Sequence, residues 1–257
     1  MGEFMQFMAS PAGIAIFVAV ALALVILILA LNYRFFAKAL LDFLFGLIFL
    51  IVLSPLYAVC AAITKRKAGT VLQSRWIVGK GGKPVSVRVF SDFERGGRLG
   101  YICRSALKFL PLLLSVVSGK LSLVGPVPLS LQDGALIPDE YEGRFSARPG
   151  LISPAVCFYA ACPEYEEMFA ADCDYVKRRS LFFDVRAFFT AALRIVRGEG
   201  GRYMKVGRAG YAASLLERGE ITFEQFEKAE RLADESVSDF LRSVSYTHLT
   251  LPTKLEV

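Results

Sequence analysis

Histidine is nearly absent from this chain: there is one copy, His248, close to the C-terminus. The scarcity bears on chemistry, because histidine is the commonest neutral-pH acid or base and a leading metal ligand. Cysteine is sparse and scattered. Cys60, Cys103, Cys157, Cys162 and Cys173 form no Cys-x-x-Cys pair, which argues against a structural zinc site. An odd, unclustered set also argues against a disulfide framework and for a reducing compartment. Charge is in short supply at 21% of 257 residues, against 54% hydrophobic, where an average soluble domain carries roughly 25% charged. A membrane segment is the natural reading of that imbalance. A Walker loop is missing too. The glycine cluster Gly79-Lys80-Gly81-Gly82-Lys83 is followed by Pro84 where a Ser or Thr is required, so a hairpin turn is its expected role. No internal repeat and no low-complexity stretch is present. What remains is a chain sized for one or two compact units. Its net charge of +6 suits a phosphate ligand, an anionic membrane face or nucleic acid.

The C-terminal end is set apart first. Residues 244–253 read Val-Ser-Tyr-Thr-His-Leu-Thr-Leu-Pro-Thr, one translated frame of the transposon-end adapter used in sequencing libraries. Everything after Ser243 is accordingly expected to be read-through and to end the preceding helix; a natural disordered tail is the alternative. Without this tail the chain has no histidine, which excludes a His-based triad, a His metal site and a His general base.

Residues 11–31 carry no charge and at about 1.5 Å per residue span roughly 30 Å, the thickness of a hydrocarbon core. No Lys or Arg precedes this run, which weakens a signal-peptide reading. A transmembrane helix is expected, with Arg34 and Lys38 placing its C-terminal side in the cytoplasm. A second apolar segment, 39–63, is broken at Ser54-Pro55 and has Lys38 before it and Lys65, Arg66 and Lys67 after it. Positive charge at both ends favours a segment that enters, bends at Pro55 and returns over a kinked full span. Proline removes a backbone donor there, and the Ser54 hydroxyl can satisfy the freed carbonyl.

Beyond the membrane segments, Val85, Val87 and Val89 alternate with Ser86, Arg88 and Phe90, a half-buried strand. Residues 104–117 read as a helix despite Pro111. Ser122-Leu123-Val124-Gly125-Pro126-Val127-Pro128 reads as an apolar strand ending in a rigid turn, and Ala147-Arg148-Pro149-Gly150 as a second turn. Asp184 is placed to cap a helix running to Arg197. Phe188, Phe189, Leu193 and Val196 lie on one of its faces and Arg186, Arg194 and Arg197 on the other. Such a helix suits either an anionic membrane surface or a protein core. Residues 222–241 form an amphipathic helix, with Thr222 and Gln225 at capping-box spacing. Its apolar stripe needs a partner, in its own domain or in another chain.

In order along the chain stand Lys38-x-x-x-Asp42, Ser54-Pro55, Gly69-x-Val71, Gly79-Lys80-x-Gly82-Lys83-Pro84, Arg104, Leu107-x-x-Leu110-Pro111 and Gly119. Then come Ser122-Leu123-Val124-Gly125-Pro126-x-Pro128, Arg148-Pro149-Gly150, and Asp172-x-x-Tyr175-Val176 with Ser180 and Asp184. Together these resemble the monotopic bacterial sugar transferases, the polyprenyl-phosphate phosphoglycosyl transferases. The likeness covers about 35–197. It implies an α+β, membrane-anchored protein. The expected domains are a transmembrane helix (1–33), a re-entrant helix–break–helix hinged at Ser54 and Pro55 (34–67), a small α/β cytoplasmic domain with surface amphipathic helices (68–198) and a helical extension (199–243), followed by the read-through (244–257). It also implies the bacterial cell membrane as location, with the globular part on the cytoplasmic face. The implied reaction moves a phosphosugar from a nucleotide sugar, usually a UDP-sugar, to polyprenol phosphate. An Asp-Glu pair and Mg²⁺ carry that chemistry, with the Asp as nucleophile.

The departures from the family pattern fall on the chemistry. Leu-Asp-Glu-Leu-Pro aligns with Leu107-Lys108-Phe109-Leu110-Pro111, so Lys108 and Phe109 hold the dyad positions, and one residue is missing just upstream. Lys120 stands where an Asp is usual, Val127 where an Arg is usual, and Val89-Phe90-Ser91 where Lys-Phe-Arg is usual. A protonated lysine does not act as a metal-bound phosphoryl acceptor, and phenylalanine does not ligate Mg²⁺. Retained are Arg104 and Arg148 as candidate phosphate binders, with Gly125 and Pro126 in the turn between them. The leading expectation is therefore a catalytically silent family member that binds or scaffolds. No catalytic residue and no bound Mg²⁺ are expected. Its expected partners are the lipid membrane, a nucleotide sugar, polyprenol phosphate and an active transferase paralogue; no nucleic acid is expected. Two alternatives stay open. One is an enzyme whose acids have moved to Asp92, Glu94 or Asp133; the other is a structural membrane protein with no ligand.

Overall fold

The computed structural model describes residues 10–31, 33–91, 110–159, 163–197 and 210–249. The N-terminal helix α1 (Pro11–Leu31) is apolar on every side, and Ile14, Phe17, Val20 and Leu24 all stand more than half exposed. A short π-helical piece, Tyr33–Ala37, leads into α2 (Lys38–Val52), which meets α3 (Ser54–Ala68) at a bend. Among the described residues no single helix is long and apolar enough to cross a membrane. Pro11–Val25 is a shorter apolar stretch, and Lys38–Val52 with Ser54–Arg66 forms one apolar pair bent by 66°.

The bend follows from local chemistry. Pro55 has no N–H to give to the Ile51 carbonyl, its partner in an unbroken helical ladder. The Ser54 hydroxyl donates to that carbonyl instead, at 2.7 Å, and Tyr57 N–H resumes the ladder at Leu53 O. The expected role of Ser54 is thus what the structure contains.

β1 (Leu72–Val78) and β2 (Pro84–Phe90) form the predicted antiparallel hairpin over the glycine turn, Leu72 pairing with Phe90 and Val78 with Pro84. Val87 and Val89 are buried and Arg88 is exposed, as alternation requires. Phe90 breaks the pattern: it is buried on the opposite face, against Tyr57 of α3. The hairpin face joins α4 (Leu112–Val117) in a core of Ile77, Val87, Val89, Leu112, Leu113, Val116, Leu121 and Leu123. Phe49, Leu50 and Leu53 of the bent segment pack onto the same core, so the apolar N-terminal part and the hairpin share one interior. The contact is close at Gly46, where an added Cβ would lie 3.0 Å from Val116 Cγ1.

β3 (Ser122–Val124) and β4 (Gly150–Ile152) pair in parallel, Ser122 opposite Gly150 and Val124 opposite Ile152. Between them run α5 (Leu131–Ala135) and a 3₁₀ segment, Asp139–Ser146. Then follow α6 (Tyr165–Arg178), α7 (Leu181–Val196), α8 (Tyr211–Glu217) and α9 (Phe223–Leu249).

Four expectations need correction. The helix read over 104–117 is helical, in its described part, only from Leu112, because Pro111 stands directly before it; residues 104–109 lie outside the described residues. Asp184 does not cap α7. Ser180 takes that place, accepting from Phe183 N–H at 3.3 Å, and Asp184 lies buried in the first turn. The apolar residues of α7 do not share one face: Phe188 stacks on Phe49, while Phe189 and Leu193 are 61% and 56% exposed. Last, α9 does not end at 241–243 but runs to Leu249. Its start is as expected, with reciprocal bonds between Thr222 and Gln225. The partner of its inner face is this chain itself, through Phe240 on Trp76 and a bond from Gln132 to the Phe226 carbonyl.

Candidate functional site

Among the described residues, two buried polar clusters and one exposed turn bear on the candidate site. The first joins α2 to the globular part. Asp184 accepts from Tyr33 Oη, from Lys38 Nζ, and from Tyr175 Oη at 2.8 Å. Lys38 also reaches the Val124 carbonyl at 3.0 Å. One turn along α2, Asp42 accepts from Ser122 Oγ at 2.7 Å and Leu123 N–H at 3.0 Å. The Lys38-x-x-x-Asp42 motif therefore ties α2 to β3. Burial and the neighbouring Asp184 carboxylate push the Tyr175 phenol far above its ordinary range, which keeps it a donor. These residues hold the fold together and leave no free acid.

The second cluster lies under the Gly125–Pro128 turn. Arg144 and Asp172 are buried and paired, Nη2 to Oδ2 at 2.6 Å. Each also grips Val127: Arg144 Nη2 donates to its carbonyl at 2.7 Å, and Asp172 Oδ2 accepts from its N–H at 3.0 Å. The guanidinium carbon lies 4.6 Å from the Phe169 ring centroid, a favourable cation–π distance. Burial is the largest influence on both partners. It pushes Asp172 up to about 6 against the pull of Arg144, and it lowers Arg144 from its ordinary range. Asp172 was visible as part of a motif. Arg144 was missed, since nothing in Tyr-Glu-Gly-Arg-Phe-Ser marks an arginine as buried.

The turn of interest is Gly119-Lys120. Gly119, at φ +74°, closes α4 in a left-handed conformation. Arg148 Nη1 donates to the Gly119 carbonyl at 3.2 Å, and Lys120 Nζ to the Ser86 carbonyl at 3.0 Å. Lys120 thus stands on an exposed turn, and Arg148 reaches that turn from its own. Gly125 and Pro126 shape the close approach of β3 and β4. A Cβ on Gly125 would lie 2.6 Å from Arg148 O, and Gly150 N–H donates to Pro126 O at 2.9 Å. The glycine is needed so that β3 and β4 can approach.

Of the sequence-predicted site residues, Arg148, Gly125 and Pro126 are brought together, and Ser54 and Pro55 form the bend. Arg104, Lys108, Phe109, Asp92 and Glu94 lie outside the described residues. Asp133 is committed elsewhere: it is buried, and its Oδ1 accepts from Ala212 N–H at 2.9 Å, seating the start of α8. Among the described residues no group of three or more His, Cys, Asp or Glu side chains is placed to hold a metal ion. Among the described residues, Cys60, Cys157 and Cys173 form no disulfide.

Comparison with known proteins bears on the family of the chain. The sequence model described as bacterial sugar transferase matches residues 33–198. A UDP-glucose:undecaprenyl-phosphate glucose-1-phosphate transferase of Xanthomonas campestris pv. campestris is 30% identical over 192 residues, 64% of this chain and 40% of that protein. An uncharacterized sugar transferase of Bacillus subtilis, EpsL, is 32% identical over 104 residues, 40% of this chain and 50% of its own length. A Caulobacter vibrioides protein with the same name as the Xanthomonas one is 40% identical over 103 residues, 36% of this chain and 38% of its own. The chain thus spans half or less of the length of these relatives. The matched segment takes in the bent helix pair, the hairpin, both turns and α7, and on that extent the chain belongs to the bacterial sugar transferase family.

Proposed function

We propose that this protein is a catalytically silent member of its family, a membrane-embedded subunit of polysaccharide or glycoconjugate synthesis that binds a phosphate-bearing ligand without turning it over. The observation that carries this reading is the replacement of the dyad by Lys108 and Phe109, together with Lys120 following directly on the glycine whose carbonyl Arg148 binds. In a metal-dependent phosphoryl transferase, carboxylates hold a cation that screens the diphosphate. Here a fixed ammonium and a guanidinium supply positive charge directly, and they repel Mg²⁺. The ligand is a nucleotide sugar or a polyprenol phosphate, the classes named in two of the relatives. Binding is expected to be independent of Mg²⁺, which thermal shifts with a UDP-sugar and with undecaprenyl phosphate, each with and without the metal, would measure. Absence of any shift at millimolar ligand would instead favour a structural protein. Against the moved-acid alternative stands the burial of Asp133, whose Oδ1 accepts from Ala212 N–H.

The proposed setting is the cytoplasmic face of the bacterial cell membrane. In this proposal the uncharged run 11–31 is the crossing segment, and α2–α3 enters, bends and leaves on the same side. The 66° bend, the Ser54 bond and the exposed Phe43, Phe45, Ile48 and Ile51 support this topology. So does the exposed row Phe182, Val185, Phe189 and Leu193 on α7, held beside α2 by the Phe49–Phe188 stack. Single cysteines near Lys38 and near Lys67, in a cysteine-free background, should both label from the cytoplasmic side. Labelling from opposite sides would replace the re-entrant reading with a full crossing.

A further inference from the structure

The sides of α7 meet different surroundings. Phe188 stacks on Phe49 of α2 at 5.4 Å, and Ala187, with no exposure, packs with Val124, Val156 and Tyr175. Val185, Phe189 and Leu193, an i, i+4 series, stand exposed, as does Phe182. Shifted from that series by one residue, about 100° round the helix, are Arg186, Thr190 and Arg194; Arg197 follows Leu193 by four residues. The arginines therefore edge the apolar row on the side away from Phe188 and α2. Arg186 and Arg197 are exposed. Lys177, Arg178 and Arg179 lead into the helix, and the one acid in 177–197 is Asp184, buried and bonded to Tyr33, Lys38 and Tyr175.

We propose that this edge binds the headgroups of anionic phospholipids. The apolar row enters the acyl boundary, and Arg186 and Arg197 extend their stems outward to lipid phosphates. This rests on the membrane setting proposed above and adds the class of lipid. Charge decides the class: a phosphatidylcholine headgroup carries its own cation, whereas the phosphate of phosphatidylglycerol leaves its negative charge to the protein. A bilayer fits the row better than a second protein does. α7 lies beside α2, whose Phe45 and Ile48 are also exposed, and a bilayer covers both helices at once.

The test identifies the lipid next to α7. The full chain, free of native cysteines, carries an apolar fluorophore on Leu193→Cys in nanodiscs of equal parts phosphatidylcholine and phosphatidylglycerol. One lipid at a time has brominated chains, which quench on contact. Quenching should show phosphatidylglycerol enriched at α7 by about fivefold, the preference that one cation near an anionic leaflet confers. Arg186→Gln with Arg197→Gln should remove most of that enrichment. Lys80→Gln with Lys83→Gln, on the hairpin turn, should leave it unchanged. Equal quenching by both lipids, or an equal loss in the two charge variants, overturns the proposal. So does absence of quenching at Leu193→Cys when a fluorophore on Phe45→Cys is quenched: a protein then covers α7, and the membrane setting stands. Absence of quenching at both positions overturns the membrane setting along with the proposal.

Discussion

Arg144→Met is expected to cost about 3–5 kcal/mol of stability, the usual penalty for leaving one member of a buried ion pair alone. The thermal midpoint should fall by roughly 10 °C for a chain of this size. The cost arises because Asp172, with no exposure, would keep only the Val127 N–H as a donor, and Val127 would lose its carbonyl partner. Replacing both members, Arg144→Met with Asp172→Leu, should recover much of that loss, since two apolar groups leave no stranded charge. A double-mutant cycle on thermal midpoints in lipid nanodiscs reads the difference, and a double variant as unstable as the single one would refute the argument. The pair also carries a pH signature. Asp172 titrates at about 6 in the folded chain, above the unfolded value of roughly 3.9. Its contribution is therefore fully present below pH 4 and is lost as pH rises through 6. The midpoint of the native chain minus that of Asp172→Asn should decline between pH 4 and 6 and be flat above 7.

The second large effect is expected at Asp184. Its carboxylate receives Tyr33, Lys38 and Tyr175 at once, so Asp184→Ala takes the shared acceptor from three donors at the root of the bent segment and leaves Tyr175 with the Val124 carbonyl. The Lys38 ammonium would keep only Asp42 at 3.9 Å and the Val124 carbonyl. A loss of about 3–5 kcal/mol is expected for breaking a buried ion pair by removing one partner, with Asp184→Asn intermediate because an amide oxygen still accepts. The loss should also appear as faster proteolysis of the globular part in nanodiscs, since these bonds attach α2 to β3 and α7. Equal stability of Asp184→Ala and the native chain would show that the cluster contributes nothing to that attachment.

Where local chemistry dictates structure, the sequence was readable. The hairpin followed from valine alternation around a glycine turn, the bend from Ser54-Pro55, and the start of α9 from Thr222 and Gln225. The sites whose meaning depends on distant partners were not. Asp184 looked like a helix cap, because an acid near a helix start usually is one, but a lysine and two tyrosines from elsewhere in the chain claim it. Asp133 looked like a spare acid until α8 was seen to start on it. Arg144 gave no signal at all, because its burial is set by Phe169 and Asp172 of α6, which follows after an intervening strand and turn. The parallel pairing of β3 with β4 escaped for a similar reason: each strand is three residues long, too short for periodicity to show.

The central claim, binding without turnover, meets its most direct test in one assay. The full chain in nanodiscs is mixed with a panel of UDP-sugars, polyprenol phosphate and Mg²⁺, and release of nucleoside monophosphate is followed. No release is expected. Restoring Asp and Glu at Lys108 and Phe109 should not create it, because Lys120 still repels the metal and Val127 and Ser91 still lack cationic side chains. Metal-dependent release by the unmodified chain, abolished when Asp92 or Glu94 is replaced, would contradict the account and establish an enzyme with relocated acids.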